Sequence, residues 1–154
     1  MGRIRVAYMN VGRGCVAAHG LLESCAQKGV EICLIRECWV ARTDSGMQSH
    51  PDYVMLGCAS RGTKVVVFVR KDMVEGVRLV TATARAVVVE VGDCRIGGVY
   101  RNCGVGVHPM RDWLGTLEGW IGRGDWVLLG DWNAHHHTWS LGGKSEPGGR
   151  VLAE

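Results

Sequence analysis

The chain has 154 residues, a formal net charge of +3 and a composition that is 47% hydrophobic and 21% charged. This length suits one ordinary domain, and the apolar fraction is sufficient for a hydrophobic core, which argues against a disordered chain. No apolar run reaches the roughly 20 residues that a membrane-spanning helix needs. Residues 1–6 alternate charged and apolar side chains, unlike the continuous apolar segment of a signal peptide. We therefore expect an intracellular protein that is not secreted and not inserted in a membrane.

The cysteines and the basic residues limit the classes of partner. Seven cysteines are scattered along the chain without a Cys-x-x-Cys pair, which disfavours both a disulfide framework and a zinc site. Arginine provides most of the 18 basic residues. Because its planar guanidinium binds phosphate through two hydrogen bonds, a nucleic acid or another phosphoester is a permitted partner. A net charge of +3 is equally typical of a soluble surface without such a partner.

The first part of the chain has the pattern of a β-α-β unit. Apolar and charged residues alternate up to Asn10, which predicts a half-buried strand over residues 4–10. Apolar residues spaced three and four apart predict a helix over residues 17–28, with Gly29 as its terminating residue. The apolar run over residues 30–35 predicts a second strand, with Glu37 just past its end. A helical crossover implies that the two strands are parallel.

The rest of the chain alternates short strands with one further helix. A polar loop is expected over residues 41–52, followed by antiparallel strands at 53–56, 64–70, 77–82, 86–91 and 94–100. Pro109 is expected to open a helix whose apolar face carries Trp113, Leu117, Trp120 and Ile121. The wholly apolar run over residues 126–130 predicts a central strand buried on both faces. These elements form a single α/β unit without internal repeats.

Asp131 and Asn133 directly follow that last apolar strand. If the strand persists, their spacing of two places both side chains on one side, at the end of the sheet where α/β proteins bind ligands. An acid and a neutral amide there can activate a water and hold a phosphate oxygen. Asp and Asn are also favoured turn residues, and the spacing alone favours a turn.

Asn10 and Glu37 occupy equivalent positions at the ends of the first two predicted strands. Because the ends of parallel strands are neighbours, these residues could meet Asp131 and Asn133 at one rim. A carboxylate, an amide oxygen and waters match the sparse oxygen coordination that Mg²⁺ accepts. Each residue taken alone is also explained as part of a solvated loop.

Four motifs together resemble a known superfamily. They are Met-Asn-Val-Gly-Arg at 9–13, Ile-Arg-Glu-Cys-Trp at 35–39, Val99-Tyr100, and Gly-Asp-Trp-Asn-Ala-His-His at 130–136. In order and spacing the chain resembles the endonuclease/exonuclease/phosphatase superfamily, and within it the apurinic-type endonuclease domain of non-LTR (LINE-type) retrotransposons. The resemblance implies a DNase I-like α/β fold (α+β in some schemes), a four-layer sandwich of two mixed β-sheets flanked by helices.

The same resemblance implies roles for individual residues. Glu37 would be the main Mg²⁺ ligand, helped by Asn10, with Mn²⁺ as a substitute ion. Asp131 would orient or deprotonate the attacking water, while Asn133 would steady it and a phosphate oxygen. Tyr100 would hydrogen-bond the charge that develops on the phosphorus centre. Residues expected to contact substrate are Arg13, Trp39, His135, His136 and Trp139.

The resemblance also implies a substrate and a setting. The chain would nick DNA and leave a 3′-hydroxyl, would act in the nucleus on chromosomal DNA, and would belong to a longer reverse-transcriptase polyprotein in its full-length relatives. The family ends in a Ser-Asp-His motif that nothing after Asn133 matches, so residues 1–154 are expected to be the N-terminal and central portion of the domain, without its last strands. Arg36 and Cys38 stand where the retrotransposon branch usually has Gln and Pro.

Two other functions remain open at the level of sequence. One is a phosphatase of the same superfamily that acts on small or lipid phosphoesters. The other is a non-catalytic remnant or interaction module.

Overall fold

A computed structural model of the protein describes residues 3–12, 14–38, 50–57, 62–102 and 106–134, and the single residues Thr138, Ser145 and Val151. Most of the loop predicted at 41–52 lies outside these residues. The described elements, in chain order, are β1 (Val6–Asn10), α1 (Cys15–Gln27), β2 (Ile32–Arg36), β3 (Tyr53–Leu56), β4 (Val65–Arg70), a 3₁₀ helix (Lys71–Gly76), β5 (Val77–Ala82), β6 (Ala86–Val91), β7 (Cys94–Tyr100), α2 (Val107–Ile121) and β8 (Asp125–Asp131). The strands form two four-stranded sheets, ordered β1-β2-β4-β3 and β5-β6-β7-β8.

The β-α-β unit predicted at the start of the chain is confirmed. β1 and β2 are parallel, in a register that runs from Val6 opposite Ile32 to Asn10 opposite Arg36. Gly29 ends the intervening helix in a left-handed conformation, with φ of 64°. There its N–H donates to the Ala26 carbonyl at 3.0 Å, and the next N–H, of Val30, donates to the Cys25 carbonyl at 2.9 Å. Glycine is favoured at this position because it has no Cβ to oppose the left-handed backbone.

The two sheets pack face to face, with a helix on each outer side. The residues of β2 and β4 that face the second sheet form one continuous cluster with it, comprising Ile32, Leu34, Val65, Val67, Val69, Val87, Val89, Val91 and Ile96. The alternate residues of the same strands, such as Cys33 and Phe68, pack against α1. Leu117 of α2 packs on the outer face of the second sheet. Both faces of β2 and β4 are therefore buried, and the four-layer sandwich is confirmed.

A glycine permits the two sheets to approach closely at one point. A Cβ at Gly98 would lie 2.8 Å from Cγ2 of Val65 and 3.1 Å from Cδ2 of Leu34. These are side chains of the opposite sheet, so a larger residue in β7 would push the layers apart. The close approach brings the ends of β2 and β7 toward each other.

The predicted antiparallel hairpins are confirmed, but the burial predicted for the last strand is wrong. β5, β6 and β7 form an antiparallel meander, and β4 pairs antiparallel with both β2 and β3. β8 pairs in parallel with β7 and, among the described residues, lies at the edge of its sheet. Trp126 and Val127 are consequently 52% and 42% exposed. An apolar run cannot distinguish a central strand from an edge strand, because only the order of strands in the sheet decides that. In the described parts of the chain, neither α-helix is long and apolar enough to cross a membrane.

Candidate active site

Two pairs of parallel strands, one in each sheet, end at the same rim of the sandwich. β1 and β2 end with Asn10 opposite Arg36, and β7 and β8 end with Tyr100 opposite Asp131. An ion pair between Arg36 Nη1 and Asp131 Oδ2 joins the two pairs. The carboxyl ends of four strands, drawn from both sheets, therefore meet at one place.

The guanidinium of Arg36 lies at the centre of this cluster. Its Nη2 donates to Oε1 of Glu37 at 2.9 Å, while Nη1 pairs with Asp131. Its Cζ lies 4.7 Å from the centroid of the Tyr100 ring, within the range of a cation–π contact. The side chain is only 14% exposed. In the sequence, Arg36 was noted only as a departure from the family's glutamine, and its role as a bridge between carboxylates was missed. A basic residue next to a candidate metal ligand at a strand end was a signal for that role.

Glu37 leaves the strand in a strained backbone conformation. Its φ is 53°, in the left-handed region that costs a non-glycine residue of the order of 1 kcal/mol. The Glu37 N–H donates to the Lys64 carbonyl at 2.8 Å, which ties this turn to the start of β4. Strain of this kind persists where the surrounding structure fixes a side chain in a required direction. Here that direction points the carboxylate at the rim rather than along the strand.

Asp131 and Asn133 form a turn instead of continuing the strand. β8 ends at Asp131, and Asn133 is left-handed with φ of 43°. The Asn133 N–H donates to Oδ1 of Asp131 at 3.0 Å, which closes the turn. The strand does not persist to Asn133, so the condition for placing both side chains on one side is not met, and the turn that the spacing alone favours is found. The turn nevertheless keeps both residues at the rim.

Arg101 stabilises this turn through hydrogen bonds, a role that the sequence analysis did not predict. Its side chain is buried, and the residue is 3% exposed. Its guanidinium donates to the carbonyls of Trp132 and Asn133, and its N–H donates to the Asp131 carbonyl at 2.9 Å. In return, Nδ2 of Asn133 donates to the Arg101 carbonyl at 2.6 Å. Its position next to Tyr100 at a strand end was the only hint in the sequence.

The side chain of Tyr8 lies beside the cluster around Arg36. Its buried hydroxyl and the buried Nε of Arg36 have no hydrogen-bond partner among the described residues. Burial raises the pKa of the Tyr8 phenol; the charge of Arg36 opposes this change, and the carboxylates of Asp131 and Glu37 add to it. The Tyr8 hydroxyl is therefore protonated at neutral pH and lies within the field of all three charged groups.

The remaining predicted residues divide into one that is described and five that are not. Asn10 is exposed at the end of β1, and its Oδ1 accepts a hydrogen bond from the Gly12 N–H at 2.9 Å. The predicted substrate contacts lie outside the described residues; they are Arg13, Trp39, His135, His136 and Trp139.

The donor set at the rim fits Mg²⁺. Glu37, Asp131 and Asn10 offer only oxygen atoms, which this hard cation prefers, and it commonly takes one or two carboxylates and keeps several waters. Within the described part of the chain, Arg36 contacts Oε1 of Glu37 but no group contacts Oε2. Oε2 of Glu37 and the amide oxygen of the exposed Asn10 lie at the ends of adjacent strands.

A second group of ligand-type side chains lies at the opposite end of the first sheet. Atoms of Glu23, His50 and Asp52 lie within 4.8 Å of one another. The Asp52 N–H donates to Nδ1 of His50 at 3.1 Å. A histidine normally binds a metal through one ring nitrogen and donates a hydrogen bond from the other. Nδ1 of His50 accepts a hydrogen bond instead, which does not suit a metal ligand. His50 and Asp52 precede β3, which begins at the end of the sheet where β2 starts. The group is therefore separate from the rim, where β2 ends.

A cavity of about 130 Å³ opens beside Tyr100, between β7 and α2. Its lining is partly basic and partly aromatic and includes Arg85, Arg101, Asn102 and Trp113. The cavity shares Tyr100 with the cluster around Arg36, so a molecule bound there would lie beside that cluster.

Comparison with known proteins identifies the fold. No family model matches the chain, and no curated protein matches it in sequence. The endonuclease domain of TRAS1, a telomere-specific non-LTR retrotransposon, superposes with a TM-score of 0.74 at 18% identity, over 98% of this chain and 68% of that one. This chain has the DNase I-like fold. An AP endonuclease from Archaeoglobus fulgidus shares this fold with a TM-score of 0.58 at 13% identity, over 88% of this chain and 62% of that one. The DNase I-like fold expected from the sequence motifs is thereby confirmed.

Proposed function

We propose that this chain is a metal-dependent endonuclease domain that hydrolyses phosphodiester bonds and nicks DNA. The observation that carries the proposal is the convergence of Glu37, Asp131 and Tyr100, from both sheets, at the rim where four strands end. The proposal is supported by the fold, which the chain shares with a retrotransposon endonuclease and an AP endonuclease.

Glu37 and Asn10 are the residues that would hold the metal. Both present oxygen atoms at the ends of adjacent parallel strands, and among the described residues Oε2 of Glu37 has no hydrogen-bond partner. When bound, Mg²⁺ or Mn²⁺ neutralises the negative charge that develops on the phosphate and its leaving oxygen.

Asp131 would take the proton of the attacking water. The water oxygen forms the new bond to phosphorus, the bond from phosphorus to the 3′ oxygen breaks, and the leaving oxygen takes a proton from solvent. The products are a 5′-phosphate and a 3′-hydroxyl. The Asn133 N–H holds Oδ1 of Asp131, so the carboxylate has a fixed orientation. Tyr100 would donate its hydroxyl to the charge that develops on the phosphate.

The cavity beside Tyr100 supports DNA as the substrate. Arg85 lines it with Trp113, a combination suited to a phosphate and the flat face of a base or sugar. Arginines also predominate among the basic residues of the whole chain. We infer that the base or sugar of one nucleotide beside the scissile phosphate enters this cavity.

We also infer a setting for the activity. The likeness to TRAS1 covers 98% of this chain, which supports a place in the endonuclease region of a retrotransposon polyprotein that also carries a reverse transcriptase. Such a domain would act on chromosomal DNA in the nucleus. The 3′-hydroxyl at its nick would then serve as a primer, so a nicked plasmid should be extended by a DNA polymerase without further treatment.

The test compares matched variants in a plasmid nicking assay with Mg²⁺. Asp131→Asn should lower the nicking rate at least about 100-fold, the lower range for loss of a catalytic base. Glu37→Gln should lower it by a similar factor because it removes a carboxylate that would hold the metal. Asp72→Asn and Glu90→Gln should change it less than about twofold, because these carboxylates pair with Arg70 and Arg78 away from the rim.

Each unfavourable outcome has a distinct meaning. Equal nicking by wild type and Asp131→Asn would refute the assignment of the site. Release of inorganic phosphate from small phosphoesters without nicking would favour the phosphatase alternative. A folded wild-type protein that does neither would favour the non-catalytic alternative.

A further inference from the structure

The guanidinium of Arg36 lies where the two candidate catalytic carboxylates meet. We propose that Arg36 is a built-in counter-ion that competes with the divalent metal for the charge of Glu37, so that Arg36 must give up its hydrogen bond to Oε1 before the metal binds tightly. This inference rests on the proposed function because it concerns the same site. It assigns to Arg36 a positioning role that tunes the affinity for metal.

The contacts of Arg36 support this competition. One Nη binds Oε1 of Glu37 at 2.9 Å, and the other binds Oδ2 of Asp131. The guanidinium thus neutralises one of the two negative charges that would attract a metal. A metal ion bound to Glu37 would be separated from the guanidinium by only one carboxylate. Two positive charges this close repel each other strongly in a partly buried site.

The surroundings keep Arg36 at the site after it releases Glu37. The ring of Tyr100 lies 4.7 Å from its Cζ, and Asp131 remains paired with it. The side chain is 14% exposed, so it does not move freely into solvent. The exchange therefore needs only the loss of one hydrogen bond, from Nη2 to Glu37, and not the departure of the whole side chain.

A merely structural role for Arg36 makes the opposite prediction. If Arg36 only holds Glu37 in position, its removal should loosen the carboxylate and weaken metal binding. If it competes with the metal, its removal should strengthen binding. The sign of the change in affinity therefore distinguishes the two roles.

The experiment measures Mn²⁺ binding to the full chain by electron paramagnetic resonance, with Mg²⁺ as a competitor. Arg36→Gln should bind Mn²⁺ at least about tenfold more tightly than wild type, which corresponds to about 1.4 kcal/mol. Arg36→Lys should gain less affinity than Arg36→Gln because it keeps the positive charge but not the two-pronged guanidinium. Arg78→Gln, which removes an arginine paired with Glu90 elsewhere in the second sheet, should leave the affinity unchanged.

Adding Glu37→Gln to the Arg36→Gln variant should abolish the gain in Mn²⁺ affinity, which would locate the ion at Glu37. Unchanged or weaker binding by Arg36→Gln overturns the competition, while nicking by wild type would leave the proposed function standing. Absence of Mn²⁺ binding in every variant overturns both. Where Arg36→Gln does not fold, Arg36→Met, which keeps the apolar stem over Tyr100, must show the same gain, and its failure to do so also overturns the inference.

Discussion

Replacement of Arg101 by methionine tests how the turn that carries Asp131 and Asn133 is held. The methionine keeps most of the apolar stem but removes the guanidinium. That group donates to the carbonyls of Trp132 and Asn133, and the residue that bears it is only 3% exposed. Both carbonyls would lose a charged donor at a place where water does not easily replace it.

The magnitude follows from these contacts. Two hydrogen bonds from a charged donor contribute about 1.5–3 kcal/mol each. Removing a buried charge returns part of this, because the guanidinium no longer has to be desolvated on folding. We expect the free energy of unfolding to fall by about 2–3 kcal/mol. With a urea m-value of about 2 kcal/mol/M, the midpoint should fall by about 1–1.5 M.

Urea denaturation followed by tryptophan fluorescence measures the effect. Arg78→Met is the matched control, because Arg78 is an arginine of the second sheet that pairs with the carboxylate of Glu90 and has a side chain that is 61% exposed. A surface pair contributes about 0–1 kcal/mol, so its midpoint should move by less than about 0.5 M. Equal midpoints for Arg101→Met and wild type would refute the reasoning that Arg101 holds the turn.

Two glycines and one histidine allow further tests. Gly130→Ala should lower the free energy of unfolding by about 1–3 kcal/mol, because a Cβ there would overlap the Val99 carbonyl of the neighbouring strand; chemical denaturation measures it. Gly20→Ala should raise the same quantity by about 0.5–1 kcal/mol, because Gly20 lies inside α1 with open space around it. Burial lowers the pKa of His50 below its ordinary value of 6.5, so the unfolded chain takes up this proton more readily than the folded protein. The His50 contribution to stability should therefore be complete above pH 6.5 and be lost as the pH falls below it, and urea midpoints measured between pH 5 and 7.5 should show this.

Each of these predictions has its own control. Gly130 and Gly20 serve as controls for each other, since the same added methyl group is expected to act in opposite directions. Equal effects at the two positions would contradict the close approach of β7 and β8. For His50, the His50→Asn variant should lose stability less steeply than wild type as the pH falls. Parallel pH profiles for the two proteins would show that His50 does not contribute.

Local chemistry was sufficient to predict most elements of this fold. Alternation of apolar residues located β1, and a glycine at the end of an apolar helical pattern located the end of α1. The reason is that a strand or a helix end depends on residues close together in the chain. The motif around Asp131 was likewise readable as a turn, because a side chain that accepts from the N–H two residues on needs no distant partner.

Burial and charge pairing depended on the tertiary structure. The apolar residues of β8 gave no indication that Trp126 and Val127 would be exposed, because exposure follows from the place of the strand in its sheet. Arg36 and Asp131 are far apart in the sequence and belong to different sheets, so nothing local predicts their ion pair. Sequence alone thus determined which residues end the strands. Only the packing of the two sheets decided that Glu37 and Asp131 share one guanidinium, because that contact requires two layers to meet.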